Sequence, residues 1–393
     1  MRKPYLIIIS LLAIVFNFRT VLAQTDSPSS DIPASQQGTI DFKITTLNAE
    51  WLSCSQNGPD DDNLQISNLA VVIAAVNPDV IALQEVGTSS SYASIDTLVK
   101  KLGNDWGGSI VAWSEDNCSQ NQGIIYKKAK VQLVNSSLIT NGGSSRNWSS
   151  GRYPALYDLS LVVGSTTIPV SLINIHAKAS SDETSYSRRQ AASVSLKSLL
   201  DGSSFNTKKV ILLGDYNDYL IGSQCSTYSD VSPYKNFIDD ATNYKGLTSA
   251  LTDPYYNSPV IDNIIISNEI FDAYVANSVI RETTATQKVS NYSSTTTDHT
   301  PVSATFRFTI PTDVPSVADM SGVSLYPNPA SDYITVKCSL RVDHVSVFAL
   351  TGEMLLSAEN TGDRIDVSAL PKGVYIVLLK TERGYCQQKM VKY

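Results

Sequence analysis

Hydrophobic positions change their period several times along the 393-residue chain, and each change marks an element. Ile40 to Leu47 alternates apolar with polar, which predicts a strand. Leu64 to Val76 carries apolar residues at helical spacing and stops at Asn77-Pro78, because the residue before a proline is pushed out of the helical region. Val80-Ile81-Ala82-Leu83 is a continuous apolar run, the mark of a strand covered on both faces. A serine-rich break and a helix over Ser94 to Leu102 follow. Gly123–Tyr126, Val131–Val134, Ala155–Val163 and Ile168–Ile175 then read as short strands, parted by turn signals such as Asn141-Gly142 and Gly164-Ser165. Helical spacing returns over Ser187 to Leu200, and Val210–Leu213, Val260–Ile266 and Ser303–Ile310 complete the strands. Strands mixed with helices from residue 39 to 310 predict α/β layers, sheets inside and helices outside.

Beyond a proline-containing tether at 311–320 the character changes. Val323–Tyr326, Tyr333–Val336, Val345–Leu350, Ile365–Val367 and Val374–Leu379 are short strands separated by Asn328-Pro329, Thr351-Gly352 and Lys372-Gly373. Residues 321–393 therefore read as a small all-β sandwich. At the other end, Met1-Arg2-Lys3 precedes an apolar run from Leu6 to Phe16, and Val21-Leu22-Ala23 offers a cleavage site before Gln24. That is the pattern of a signal peptide over 1–23, with a Ser/Pro/Gln-rich tether at 24–38. The apolar run is too short to span a bilayer comfortably, so the mature chain is expected to have no stable membrane span.

Composition adds two constraints. A net charge of −7 excludes a general polyanion binder, so any contact with nucleic acid or phosphate must come from a local patch. Lys127, Lys128, Lys130, Arg152, Lys178, Arg188 and Arg189 are the candidates for such a basic rim. The five cysteines contain no CxxC pair, which argues against zinc and thioredoxin-like chemistry. Outside the cytoplasm they can form bridges; Cys54–Cys118 and Cys338–Cys386 are the expected pairs, with Cys225 left over.

The candidate chemistry lies at strand ends. Glu85 closes the run Val80 to Leu83, where a carboxylate is costly unless a cation or donor meets it. Asn48 ends the first strand and reads equally as ordinary turn chemistry. In Gly214-Asp215-Tyr216-Asn217 the glycine permits a tight turn, and Asp215 and Asn217 can hold a hard cation and a phosphoryl oxygen together. The chain has only three histidines. His176 follows the strand ending at Ile175 and could be a core histidine; His344 lies in the C-terminal unit and reads as structural. His299 sits beside Asp298 in Thr297-Asp298-His299-Thr300-Pro301, where a ring next to an acid can move protons near neutral pH. Asp262, inside Val260–Ile266, needs a hydrogen-bond partner, and a histidine is a natural one. Arg152 is either a surface arginine or a phosphate fork.

Taken in order, Leu47-Asn48, Gln84-Glu85-Val86, Arg152-Tyr153-Pro154-Ala155, Asn174-Ile175-His176, Gly214-Asp215-Tyr216-Asn217, Ile261-Asp262-Asn263-Ile264 and Asp298-His299-Thr300-Pro301-Val302 resemble the endonuclease/exonuclease/phosphatase superfamily, in particular its deoxyribonuclease I-like members, over Gly38 to Ile310. The resemblance implies a four-layer αββα sandwich with its site at the strand ends. It implies Mg²⁺ (or Mn²⁺ or Ca²⁺) held by Glu85 with Asn48 and with Asp298 near it, and a water positioned by Asp215 and Asn217. It further implies His299 as base or phosphate-stabilising cation oriented by Asp262, His176 as donor to phosphate or leaving oxygen, and Arg152 as a phosphate fork. The acidic partner that many such proteins supply to the first histidine is not identifiable here, nor are the loops that grip a DNA minor groove. Leu325-Tyr326-Pro327-Asn328-Pro329-Ala330-Ser331-Asp332, Leu370-Pro371-Lys372-Gly373-Val374-Tyr375 and the terminal Lys389-Met390-Val391-Lys392-Tyr393 resemble the type IX secretion sorting domain of Bacteroidetes exported proteins, which implies the type IX export machinery as a partner and a secreted or cell-surface location.

The expectation is a secreted, metal-dependent phosphodiesterase acting on nucleic acid. A sphingomyelinase-like or other phosphoesterase is the alternative within the class, and a non-catalytic adhesin or binding protein the alternative outside it.

Overall fold

Strict alternation sends Val80 and Ala82 to one face of their strand and Ile81 and Leu83 to the other, and both faces are covered. The computed structural model describes residues 38–310 and 323–393, apart from 89–93, 115, 117, 254–257, 339–340, 351–352, 360–363 and 382–383. The expected signal peptide and both tethers thus lie outside the described residues, apart from Gly38 at the end of the first tether. Among the described residues no helix is long and apolar enough to cross a membrane.

The elements that build the site are β1 (Thr39–Leu52), α1 (Asp62–Val76), β2 (Val80–Val86), α2 (Ser94–Leu102), β3 (Trp106–Val111), β4 (Asn121–Lys127), β5 (Val131–Leu138), β6 (Ala155–Val163), β7 (Thr166–His176), α3 (Glu183–Leu200) and β8 (Val210–Asp215). One six-stranded sheet runs Ile280–Arg281, Val302–Thr309, β1, β2, β4, β3; the other runs β5, β6, β7, β8, Asp262–Ser267, Tyr244–Gly246. β1 and β2 are parallel, as are β7 and β8, and the remaining neighbours are antiparallel. Phe42, Ile44, Leu172, Leu213, Ile264 and Phe306 belong to one apolar core between the sheets. α1 and α2 cover the outer face of the first sheet through Ile66, Leu69 and Leu98, and α3 covers the second through Ala192 and Leu196. This is the four-layer αββα sandwich.

The helix ends follow local chemistry. Asp61 caps α1 by accepting from the backbone of Asn63 and Leu64, and Asn77, at φ 53°, ends it with its N–H on the Ile73 carbonyl. α3 begins four residues before the expected Ser187, because Asp182 caps it by accepting from Ser185 N. β3 is absent from the sequence expectation; a Cβ on its Gly108 would come within 2.5 Å of Ile95 Cγ2. The glycine there makes room for α2.

The C-terminal residues form a three-stranded sheet (Ser324–Tyr326, Tyr333–Lys337, Arg364–Asp366) and a four-stranded one (Met354–Glu359, Val342–Ala349, Gly373–Thr381, Gly384–Lys392) around Ile334, Val347, Val377 and Met390. His344 Nε2 lies 2.8 Å from Ser357 Oγ within this unit.

Cys54 and Cys118 are bridged, tying the end of β1 to the segment before β4. The expected Cys338–Cys386 pair does not form; Cys386 is a buried thiol in the apolar core of the C-terminal sheets, with Cys338 packed against that core. The Cys54–Cys118 bridge closes a span of 64 residues. Loop-closure entropy makes such a link worth about 4 kcal/mol. The double variant Cys54→Ser/Cys118→Ser should therefore unfold at clearly lower urea concentration than the oxidised protein; coincident unfolding curves would count against this assignment.

Candidate active site

The C-terminal ends of β1, β2, β7 and β8 meet at one edge of the sandwich, and the segments leading into Val302–Thr309 and Asp262–Ser267 start there too. Register enforces this: Asp215 lies opposite His176 on one side and Asp262 on the other, and Thr46 lies opposite Val302. Asn48, Glu85, Arg152, His176, Asp215, Asn217, Asp298 and His299 line one cleft of about 240 Å³. Asp262 stands behind His299, its Oδ2 2.8 Å from Nδ1.

Local backbone aims the carboxylates. Glu85 sits where the pairing of β2 with its neighbours shifts register, at φ 58°, a conformation costing about 1–3 kcal/mol in a non-glycine residue. Its Oε2 accepts from Trp51 N at 3.2 Å and its Oε1 from Asn48 Nδ2 at 2.9 Å. Gly214 is not in the expected turn but inside β8, paired with Ile175 and Asn263; at φ 138° it lets the backbones close up, for a Cβ there would lie 2.0 Å from the Ile175 carbonyl oxygen. Asp215, 2% exposed, accepts from Asn48 Nδ2 at 3.0 Å, Asn217 N at 2.8 Å and Asn217 Nδ2 at 2.9 Å. His176 Nε2 lies 3.4 Å from Glu85 Oε1 and 3.6 Å from Asp215 Oδ2. One ligand atom each from Glu85, His176 and Asp215 falls within 4.8 Å of the others, a spacing that a metal ion could bridge. Two carboxylates facing an open cleft suit a hard cation that keeps part of its water.

Two expected roles meet different surroundings. Asn48 Oδ1 accepts from Glu50 N at 3.0 Å, so in this geometry Asn48 turns hydrogens, not an oxygen, toward the carboxylates. Arg152 is buried, donating from Nε to His176 O (3.0 Å) and from Nη2 to Ala177 O (2.7 Å) and Ser149 Oγ (3.2 Å), and from Nη1 to Gln120 Oε1. With four of its five N–H groups engaged, a two-pronged grip on phosphate is not available in this arrangement. Burial pulls its pKa down to about 10, against Glu85 and Asp215, so it remains a cation beneath the cleft.

The two cleft histidines are driven apart. Burial, with the charges of Arg152 and His299, holds His176 well below its usual range. Its Nδ1 is buried with no hydrogen-bond partner, so the ring has no acid behind it. Burial also opposes charge on His299, but Asp262 by charge and hydrogen bond, with Asp215 and Asp298, holds it well above the usual range. Burial pushes Asp215 up to about 6, countered by His299 and the bonds from Asn217 and Asn48. Near neutral pH the cleft thus pairs an imidazolium with a neutral imidazole, an opposition suited to separate proton-handling tasks. Asp298 is the exposed member, 3.8 Å from His299 Nε2.

The expected basic rim does not assemble. Lys127 and Lys130 pair with Asp79 at 3.2 and 3.0 Å, at the end of β2 opposite Glu85, and Lys128 adjoins them in sequence. Arg189 is fully buried, bonded to Asp218 Oδ2 at 3.0 and 2.6 Å, where it ties α3 to the loop after β8. Lys178 adjoins the cleft residue Ala179 in sequence, and burial, with the nearby charge of Arg188, pulls its pKa down. Glu50 was missed by sequence reasoning. It lines the cleft, accepts from Asp298 N at 3.0 Å, and is pushed up by burial and by the charges of Asp298 and Glu85. Its one signal was position, two residues beyond Asn48.

The family profile described as "Endonuclease/Exonuclease/phosphatase family" matches residues 45–350, more than half of the chain. The chain belongs to this family. Residues 324–393 match a second profile, "Secretion system C-terminal sorting domain". No curated protein matches the sequence. Among solved structures, an endonuclease/exonuclease/phosphatase from Bacteroides vulgatus is similar at 12% identity and TM-score 0.49, covering 69% of this chain and 99% of that one. The family protein from Beutenbergia cavernae matches at 15% identity and TM-score 0.48, covering 89% and 100%. The human Nocturnin catalytic domain with bound sulfate matches at 16% and 0.46, covering 69% and 97%.

Two outcomes follow from this geometry. Asp262→Asn should bring the His299 pKa down toward the ordinary histidine range, readable by NMR titration of its ring protons; an unmoved titration would remove Asp262 as the cause. Asp218→Ala leaves the Arg189 charge buried without its partner and should lower stability by about 3–5 kcal/mol, measured by chemical unfolding.

Proposed function

We propose that this member of a hydrolase family is an exported, divalent-metal-dependent phosphodiesterase, with nucleic acid as its substrate. The observation that carries the reading is the meeting of Glu85, His176 and Asp215 within 4.8 Å, across one cleft from the His299–Asp262 pair. The residues fit Mg²⁺ or a similar hard cation: Glu85 and Asp215 would hold it through oxygen, with His176 beside them and Asp298 lining the same cleft. Such a cation, when bound, neutralises phosphoryl charge and makes a coordinated water more acidic.

The chain's own residues supply positioning and proton control. Asn217 and Asn48 hold the Asp215 carboxylate so that it can orient a water. His299, charged through Asp262, faces the place where negative charge grows on the phosphoryl oxygens and can donate a hydrogen bond there. His176, neutral and buried, presents Nε2 to the same space. Arg152 lends positive potential from below. The C-terminal unit supports export through the type IX machinery, to the cell surface or the medium.

The test is hydrolysis of single- and double-stranded DNA, of RNA, of a phosphocholine diester and of a simple chromogenic diester by the purified protein, with Mg²⁺ or with chelator. Chelation should abolish turnover, and His299→Ala should lower kcat by about 10²–10⁴-fold. Chelator-insensitive turnover, or an undiminished His299→Ala enzyme, would falsify this mechanism. Turnover of the phosphocholine diester alone would keep the chemistry and replace the substrate, and binding without turnover would favour an adhesin.

A further inference from the structure

Gln65 stands in the first turn of α1, fully buried, and is not among the residues that line the cleft. A buried amide is costly unless both of its ends are engaged, and here both are. Its Oε1 accepts from Ser53 N at 3.3 Å, and its Nε2 lies 2.9 Å from Ala49 O, 2.8 Å from Glu50 O and 3.0 Å from Thr296 O. The two hydrogens of Nε2 thus serve three carbonyls, with one bond shared. These partners belong to two segments far apart in the chain, the end of β1 and the lead into Asp298-His299.

The backbone that Gln65 grips is one that ordinary residues resist. Glu50, Trp51 and Ser53 have φ of 46°, 53° and 64°, left-handed values at which a side chain crowds its own backbone. Such a run persists only where its surroundings over-determine it. Gln65 takes the carbonyls of Ala49 and Glu50 at one end of the run and the Ser53 N–H at the other. Between these holds the run serves the cleft. Trp51 N donates to Glu85 Oε2 at 3.2 Å, Glu50 N to Asn48 Oδ1 at 3.0 Å, and Glu50 Oε2 accepts from Asp298 N at 3.0 Å. On the second segment Thr297, next to Thr296, donates from Oγ1 to Asn48 O at 2.8 Å and accepts from His299 N at 3.2 Å. One amide outside the cleft therefore joins the backbone that aims Glu85 to the backbone that presents His299.

We infer that Gln65 is a positioning residue: it sets the Glu50–Ser53 backbone against the Thr296–His299 segment, and so holds Glu85 ready for the cation with His299 across from it. The inference rests on the phosphodiesterase reading above. The chemistry calls for an amide, because the carbonyls need a donor and Ser53 N–H needs an acceptor at the same side-chain tip. A glutamate would turn oxygen toward carbonyl oxygens, and a methionine of similar length would leave those carbonyls without a donor.

The experiment measures Mn²⁺ binding to the purified protein, by electron paramagnetic resonance of the free ion, and Mn²⁺-dependent hydrolysis of methyl p-nitrophenyl phosphate. Wild type is compared with Gln65→Met, Gln65→Asn and Leu69→Ala, at a temperature where circular dichroism shows each to be folded. Leu69 is fully buried one turn along α1 in the apolar core beneath the helix, so Leu69→Ala loses packing without touching the clamp. Gln65→Met should weaken Mn²⁺ binding by about ten-fold or more, the usual effect of removing the support behind a metal ligand, and should lower kcat at saturating Mn²⁺ with KM little changed. Gln65→Asn keeps the amide on a shorter stem and should weaken binding by less; it carries the test if the methionine variant does not fold. Leu69→Ala should unfold earlier yet bind Mn²⁺ as wild type does. Wild-type Mn²⁺ affinity in every folded Gln65 variant, or an equal loss in Leu69→Ala, overturns the positioning role and leaves the phosphodiesterase reading standing. A wild-type protein that neither binds Mn²⁺ nor hydrolyses the diester overturns both.

Discussion

Burying the Asp215 carboxylate at 2% exposure is the constraint on which the site depends. A carboxylate out of water is costly unless donors surround it, and here each donor comes from a different element. Asn48 arrives on β1 and Asn217 on the turn after β8; the rings of His176 and His299 stand farther off, at 3.6 and 4.0 Å, on β7 and on the lead into Val302–Thr309. The requirement to satisfy one acid thus draws both sheets together at a single edge. Gly214 makes this possible, since any side chain there would collide with the backbone of β7.

Opposite protonation of the two histidines follows from what stands behind each ring. His299 has Asp262 at 2.8 Å, while His176 has a buried, unpartnered Nδ1 and the Arg152 cation nearby. The same burial acts on both; the difference is one carboxylate. The lack of an acid behind His176 is not a departure in layer or topology. It is a local change that leaves His176 a neutral group beside Glu85 and Asp215.

Charge placement separates the interior from the rim. Arg152 and Arg189 are drawn inward, where backbone carbonyls and Asp218 engage them, and Lys127 and Lys130 belong to a cluster around Asp79 at the far end of the sheet. The cleft itself is lined by the acids Glu50, Glu85, Asp215 and Asp298 with Arg152 and His299 among them, while Arg281 is held by Asp253 slightly apart. Such a surface suits recognition of one group at close range better than long-range capture of a polymer.

Much of the fold was legible from residue order, because period and capping are local. The run Val80 to Leu83 had to be covered on both faces, Asn77-Pro78 had to end a helix, and a carboxylate at the close of such a strand had to face something polar. Asp262 likewise announced its need for a partner by interrupting an apolar strand. Other features were settled only by tertiary structure, because they depend on which strand ends meet. Asn48 turns its hydrogens inward since Glu50 N takes its oxygen; Arg152 lies beneath the cleft since the carbonyls of His176 and Ala177 reach it first; Glu50 joins the cleft because Asp298 folds over it. Cys54 and Cys118 pair because β1 and the segment before β4 end side by side, whereas Cys386 points into a core and stays a thiol. Sequence by itself determined the layers and which residue types stood at their ends; the register between strands far apart in the chain decided what each of those residues touches.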